Sequence, residues 1–96
     1  MMELNFERLV FDQEPISLLF ISEPYIVNLK TGFTVAADVI MQKVNFKVEK
    51  TVLLGAQSLT APLFERMLSN KNNLSGIEVW IYKSGVDKTS KYIVED

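Results

Sequence analysis

The sequence predicts a single α/β domain, a small, mostly parallel sheet of about four strands with helices packed on it. Three observations carry that prediction. Lys50 to Gly55 contains the run Thr51-Val52-Leu53-Leu54-Gly55, which lacks polar alternation, as expected of a strand covered on both faces. Leu59, Leu63, Phe64, Met67 and Leu68 then recur at helical spacing. Ile77-Glu78-Val79-Trp80-Ile81-Tyr82 alternates with the period of a strand. Strand, helix and strand in that order read as a βαβ unit, and such units imply a buried parallel sheet.

The remaining elements follow in chain order. Asn5 to Phe11 carries Phe6, Leu9, Val10 and Phe11, an imperfect strand pattern. Asp12-Gln13-Glu14-Pro15 resembles a helix opening, because Asp caps free amides, Glu suits the positive end of the dipole and Pro fits the first turn. Ile16 to Ile21 then reads as a short buried helix, with a strand as the competing reading for its β-branched and aromatic residues. Glu23-Pro24 breaks the chain. Tyr25 to Leu29 is a strand, and Lys30-Thr31-Gly32 is a turn in which Gly is free to take positive φ.

Two readings compete after that turn. In one, Thr34 caps a helix running to Phe46, with Ala36, Ala37, Ile40 and Val44 on one face. The Ala pair, Met41 and Gln42 favour this helix. In the other, residues 30–32 form a three-residue hairpin loop and Phe33 returns as a strand. Thr60 or Ser58 caps the next helix, with Pro62 in its first turn, and Asn70 to Gly76 ends it. Ser84-Gly85 breaks the chain again. Asp87 caps a last helix, Lys88 to Glu95, that buries Tyr92 and Ile93; a hairpin return from Ser84 to Val94 is its rival. The sum is β-α-β-α-β-α-β-α with right-handed crossovers.

Composition narrows the chemistry. Ninety-six residues with a hydrophobic fraction of 48% form one globular domain, residues 1–96, with a core of its own. The chain has no Cys and no His, which removes structural zinc, disulfides, and Cys–His or Ser–His–Asp catalysis. Net charge is -2, and the cluster Lys43, Lys47 and Lys50 is interrupted by Glu49, which argues against nucleic-acid binding. Met1-Met2-Glu3-Leu4-Asn5 lacks the basic and apolar regions of a signal peptide. Apolar runs such as Leu18 to Ile21 are far too short to span a membrane. The expectation is a cytoplasmic protein with no cofactor, metal or membrane partner.

Lys50 to Leu59, Leu63-Phe64, and Ile77 to Ser84 together resemble the end of SpoIIAA-like proteins of the STAS superfamily. Tyr92-Ile93 stands where that family closes on an aromatic–aliphatic pair. Tyr25 to Leu29 with its turn is similar to the family's core strand and switch helix. The resemblance covers about two-thirds of the chain. It implies a non-enzymatic regulatory domain that binds an anti-sigma factor or a kinase-like partner and is switched by phosphorylation at a helix N-terminus. That position corresponds to the turn from Lys30 to Thr34, whose hydroxyls are Thr31 and Thr34. The family's Asp-Ser-Ser-Gly motif is absent, and Asn28 stands near where an acid is common.

The interaction or switch residues expected on this basis are Thr31, Gly32, Thr34 and Asp38, at a protein-contact surface from Thr31 to Asp38. Thr34 and Thr60 also cap helix starts, an arrangement that ordinarily serves the helix alone. Gly55-Ala56-Gln57-Ser58 follows a strand but lacks the residues of a phosphate loop. Trp80 and Tyr82 share a strand face with Glu78 and are interface aromatics if no helix covers them. The apolar content for so short a chain predicts a homodimer. The favoured function is a protein-interaction domain with no catalytic activity. Two alternatives stand beside it. One is a binding domain for an apolar small molecule, lined by Phe33, Ile40 and Met67. The other is a β-rich structural or phage-type assembly protein built on hairpins at 25–40 and 77–94.

Overall fold

The computed structural model describes residues 3–43 and 46–96. Its elements are β1 (Ile16–Phe20), β2 (Tyr25–Leu29), β3 (Gly32–Lys43), β4 (Phe46–Leu53), α1 (Gln57–Leu68), β5 (Glu78–Lys83) and β6 (Tyr92–Glu95). The strands form one six-stranded sheet, and all five ladders between them are antiparallel.

The expected mostly parallel α/β sheet is therefore corrected. The link from β4 through α1 to β5 is not a parallel crossover. β4 and β1 both run antiparallel to β3, while β5 runs antiparallel to β1, so β4 and β5 point in opposite directions. The architecture implied by the SpoIIAA-like resemblance falls with it. Its apolar strand, helix and alternating strand are all present, but apolar periodicity carries no information about strand direction.

Three predicted helices are also replaced. Residues 16–20 are β1, which lies between β3 and β5, and its apolar run reflects neighbours on both edges. The segment expected as a helix from Thr34 to Phe46 belongs to β3 as far as Lys43, while Val44 and Asn45 lie outside the described residues. Ala36, Ala37, Asp38 and Val39 are all buried, so the strand shows no alternation there. Burial on both faces outweighs the helix propensity of its Ala pair. In the last segment, Asp87 does not cap a helix. Its Oδ1 accepts hydrogen bonds from the Thr89 amide, the Thr89 hydroxyl and the Ser90 hydroxyl, closing the loop that leads into β6. Those bonds hold the exposed Asp87 carboxyl below its ordinary range. The helix predicted over 59–68 is present, with Pro62 inside it.

β3 is the hub. One of its edges carries β4 from residue 36 to 43, and the other carries β2 and then β1, end to end. Between those two ladders, residues 21–24 oppose only residues 37 and 38, an insertion that bends the strand pair. Ile21 N–H still reaches the Asp38 carbonyl at 2.9 Å, and the Ser22 hydroxyl accepts from the Asp38 N–H at 2.9 Å. Glu23 anchors the insertion from outside, its two carboxylate oxygens accepting from the amides of Leu74 and Ser75, each at 2.9 Å. At the hairpin tip Gly32 has φ +122, a conformation that favours glycine, and this closes the β2–β3 turn.

The core lies on one face of the sheet. Leu18 and Phe20 of β1, Ala37, Val39 and Met41 of β3, Val52 of β4, and Val79 and Ile81 of β5 meet Leu59 and Leu63 of α1 there. Leu9 and Phe11 enter the same core from the N-terminal segment, which runs beside β4 at Thr51. The helix also covers the outer edge of β6. The Ser58 hydroxyl accepts from the Tyr92 N–H at 3.1 Å, and Arg66 donates to the Val94 carbonyl at 3.4 Å. Such cover blunts an edge that otherwise invites pairing. No helix among the described residues is long and apolar enough to cross a membrane.

Candidate functional site

The opposite face of the sheet holds a buried polar cluster. Asp38 is 5% exposed and Thr51 is fully buried, and the two are directly paired across β3 and β4. Asp38 accepts from Tyr25 Oη at 2.5 Å and Thr51 Oγ1 at 2.9 Å on one oxygen, and from Asn5 Nδ2 at 2.7 Å on the other. The Phe6 N–H donates to Thr51 Oγ1 at 3.0 Å, and the Asn5 N–H to Tyr25 Oη at 3.3 Å. Burial raises the Tyr25 phenol above its ordinary 10.0, and the hydrogen bond to Asp38 raises it further. The neutral phenol thus stabilises the fold below about pH 10, and that contribution is lost as pH rises through the raised value.

This network satisfies its own members, since no buried side-chain polar atom among the described residues lacks a hydrogen-bond partner. It latches residues 5–6 across the sheet. Asp38, expected on an accessible contact surface, is a latch residue.

The other expected switch residues lie apart from it. Thr31 is exposed in the hairpin tip, Gly32 closes the turn, and Thr34 is half-buried within β3. None of them starts a helix. Thr31 and Thr34 do stand near the start of α1, because they line a hollow of about 350 Å³ with Arg8, Gly55, Ala56 and Tyr92. A Cβ on Gly55 would meet Thr34 Oγ1 at 3.2 Å, so the glycine permits this close approach. Ala56 at the helix N-cap provides no side-chain hydrogen bond, and Thr60, expected to cap, donates back to the Gln57 carbonyl from within the helix.

Trp80 is 47% exposed and faces away from the helix-bearing side. It lines a hollow of about 440 Å³ of mixed character with Asp12, Glu14, Ile16, Ser17 and Gln42. Tyr82, on the same strand face, is half-buried, and its phenol is raised by a hydrogen bond to Glu95. The residues expected to line an apolar pocket do not converge. Met67 lies on α1 and lines a groove beside it, Ile40 faces the opposite side of the sheet, and Phe33 is 77% exposed at the hairpin.

A different surface gathers apolar side chains. Between α1 and the β2–β3 hairpin runs a groove of about 240 Å³, lined by Pro24, Val35, Leu54, Thr60, Leu63, Phe64, Met67 and Leu74. Thr60 is the one polar residue in that lining. Phe64 is 61% exposed, and Leu68, one turn further along α1, is 60% exposed. Ile26 pairs with Val35 across the hairpin and extends the patch at 56% exposure. The helix stripe read from the sequence is wider than the sheet can cover. Leu59 and Leu63 pack into the core, while Phe64 and Leu68 turn to solvent. That surplus width was the signal for this site.

Among the described residues, no cluster of three or more Asp and Glu side chains has the geometry to hold a metal ion. Compared with protein-family models, curated proteins and solved structures, the chain matches none.

Proposed function

We propose that this chain is a non-enzymatic protein-interaction domain whose contact surface is the groove between α1 and the β2–β3 hairpin. The observation that carries this reading is the exposure of Phe64, Leu68 and Ile26 around a nearly wholly apolar groove. Contiguous exposed apolar surface of this kind marks interaction sites, and aromatic anchors in such patches dominate binding energy. The chain also contains no His or Cys for nucleophilic or imidazole-based catalysis. The contact surface thereby moves from the Thr31–Asp38 segment to the face that carries Phe64. An apolar small-molecule site in this groove is less well supported, because its volume of about 240 Å³ falls below the roughly 300–1,000 Å³ of pockets that enclose drug-sized ligands.

Site-directed photo-crosslinking in cells tests the reading. A photoreactive phenylalanine analogue replaces Phe64 in one variant and Val86 in another. Val86 is 89% exposed on the loop between β5 and β6 and does not line the groove. Discrete protein adducts are expected from position 64 and none from position 86. Absence of adducts at 64, or equal yields at both positions, contradicts the reading.

A further inference from the structure

The groove lies beside a strand edge, the outer side of β2, to which no other described strand pairs. Val35 gives its carbonyl to the Leu54 N–H at 2.7 Å, so it bonds toward β4. Antiparallel ladders alternate, so its partner across β2, Ile26, turns its N–H and C=O away from β3. Asn28, two residues on, does the same. Both residues are exposed, and no hydrogen bond from the described residues reaches their outward backbone groups.

The other two edges are protected differently. Ser58 and Arg66 cap β6. β4 is joined by the N-terminal segment at Thr51, and its remaining outer edge carries the exposed charges of Lys47 and Glu49. Charged side chains are a common device against edge pairing. The β2 sequence, Tyr25-Ile26-Val27-Asn28-Leu29, carries no charge.

We propose that a second copy of this chain occupies the β2 edge, the two β2 strands pairing antiparallel about a twofold axis at Val27. This rests on the reading of the groove as a protein contact and names its occupant. With the axis at Val27, Ile26 of one copy stands opposite Asn28 of the other. Each of the two open residues then donates one hydrogen bond and accepts one, giving four bonds that use every open backbone group of Ile26 and Asn28. The uncharged strand brings no like charges together.

The same axis stands normal to the joined sheet, so the helix-bearing faces of both copies lie on one side. The two apolar grooves adjoin there, with Ile26, Val35, Phe64 and Leu68 of each copy flanking the seam. Strand hydrogen bonds exchanged for water add little affinity alone, and the adjoining apolar side chains supply the remainder. An isologous contact of this type closes on itself and yields a dimer rather than a filament.

Sedimentation of the purified full chain over a concentration series tests the proposal, using wild type, Asn28→Pro and Asn28→Lys. The Asn28 N–H is not used in the β2–β3 ladder, so proline removes a donor only from the open edge. Lysine keeps the backbone intact and sets two positive charges beside the seam, which covers the case in which the proline variant fails to fold. The expected result is a wild-type dimer and a lysine variant that remains monomeric with an unchanged circular dichroism spectrum; a folded proline variant behaves in the same way. A wild-type monomer throughout, or a dimer that survives Asn28→Lys, overturns the proposal. In that event adducts from position 64 to a different protein leave the groove reading standing, and their absence removes both.

Discussion

Replacing Asp38 with alanine is expected to lower stability by about 3–5 kcal/mol, because it strands several donors at once. Tyr25, Thr51 and Asn5 all donate to this one carboxylate, and Thr51 has no exposure to water. A domain of this size has a total stability of about 5–15 kcal/mol, so the variant approaches the unfolding limit at ordinary temperature. Asp38→Asn keeps an acceptor oxygen and is expected to cost about half as much. Urea titration followed by circular dichroism measures both. The effects of Tyr25→Phe and Thr51→Val will not add to the Asp38 value, since all three act within one network. A loss below about 1 kcal/mol for Asp38→Ala would show that the network does not hold residues 5–6 across the sheet.

Phe20→Ala carries the second large effect. Phe20 is fully buried, with Val39 opposite it in the sheet. Truncation opens a cavity at the centre of the core and is expected to cost about 3–5 kcal/mol. For a domain of this length that corresponds to a fall in Tm of about 4–8 °C per kcal/mol. Phe33→Ala is the matched control. Phe33 is 77% exposed at the hairpin, and its removal is expected to change stability by no more than about 0.5 kcal/mol. Similar losses at both positions would contradict the core as described.

These two residues also show what was legible in the sequence. α1 is legible because Leu59, Leu63 and Met67 recur at its period, although the helix starts at Gln57 and Pro62 lies in its second turn. β2 and β5 were readable from β-branched and alternating residues. Phe20 reads as part of a short, largely buried helix, since Ile16 to Ile21 is apolar apart from Ser17 and gives no clear period; the structure buries it in β1. β3 misled for a related reason. Residues 36–39 are buried on both sides, and two adjacent alanines there imitate one face of a helix. The latch around Asp38 was beyond local reasoning, because its members come from residues 5, 25, 38 and 51 and meet only through strand register.

The groove was half-legible. Leu59, Leu63, Phe64, Met67 and Leu68 all read as one buried stripe, yet the exposed pair Phe64 and Leu68 is what marks the surface. How much of a stripe the core can cover depends on where the sheet ends, and a sequence does not show where a sheet ends. The open backbone of Ile26 and Asn28 was invisible for the same reason, because which groups a strand leaves unpaired follows from its neighbours.

Amide hydrogen exchange at three adjacent residues of β2 tests the central claim most directly. Val27 faces Thr34 within the ladder, while Ile26 and Asn28 face outward. In dilute protein the Val27 amide is expected to exchange slowly and those of Ile26 and Asn28 rapidly. In concentrated protein the outer two are expected to slow by about tenfold or more, as a second β2 strand closes the edge. Outer amides that exchange equally fast at every concentration would contradict an edge closed by a second copy, and a Val27 amide as fast as its neighbours would contradict the ladder on which that edge is built.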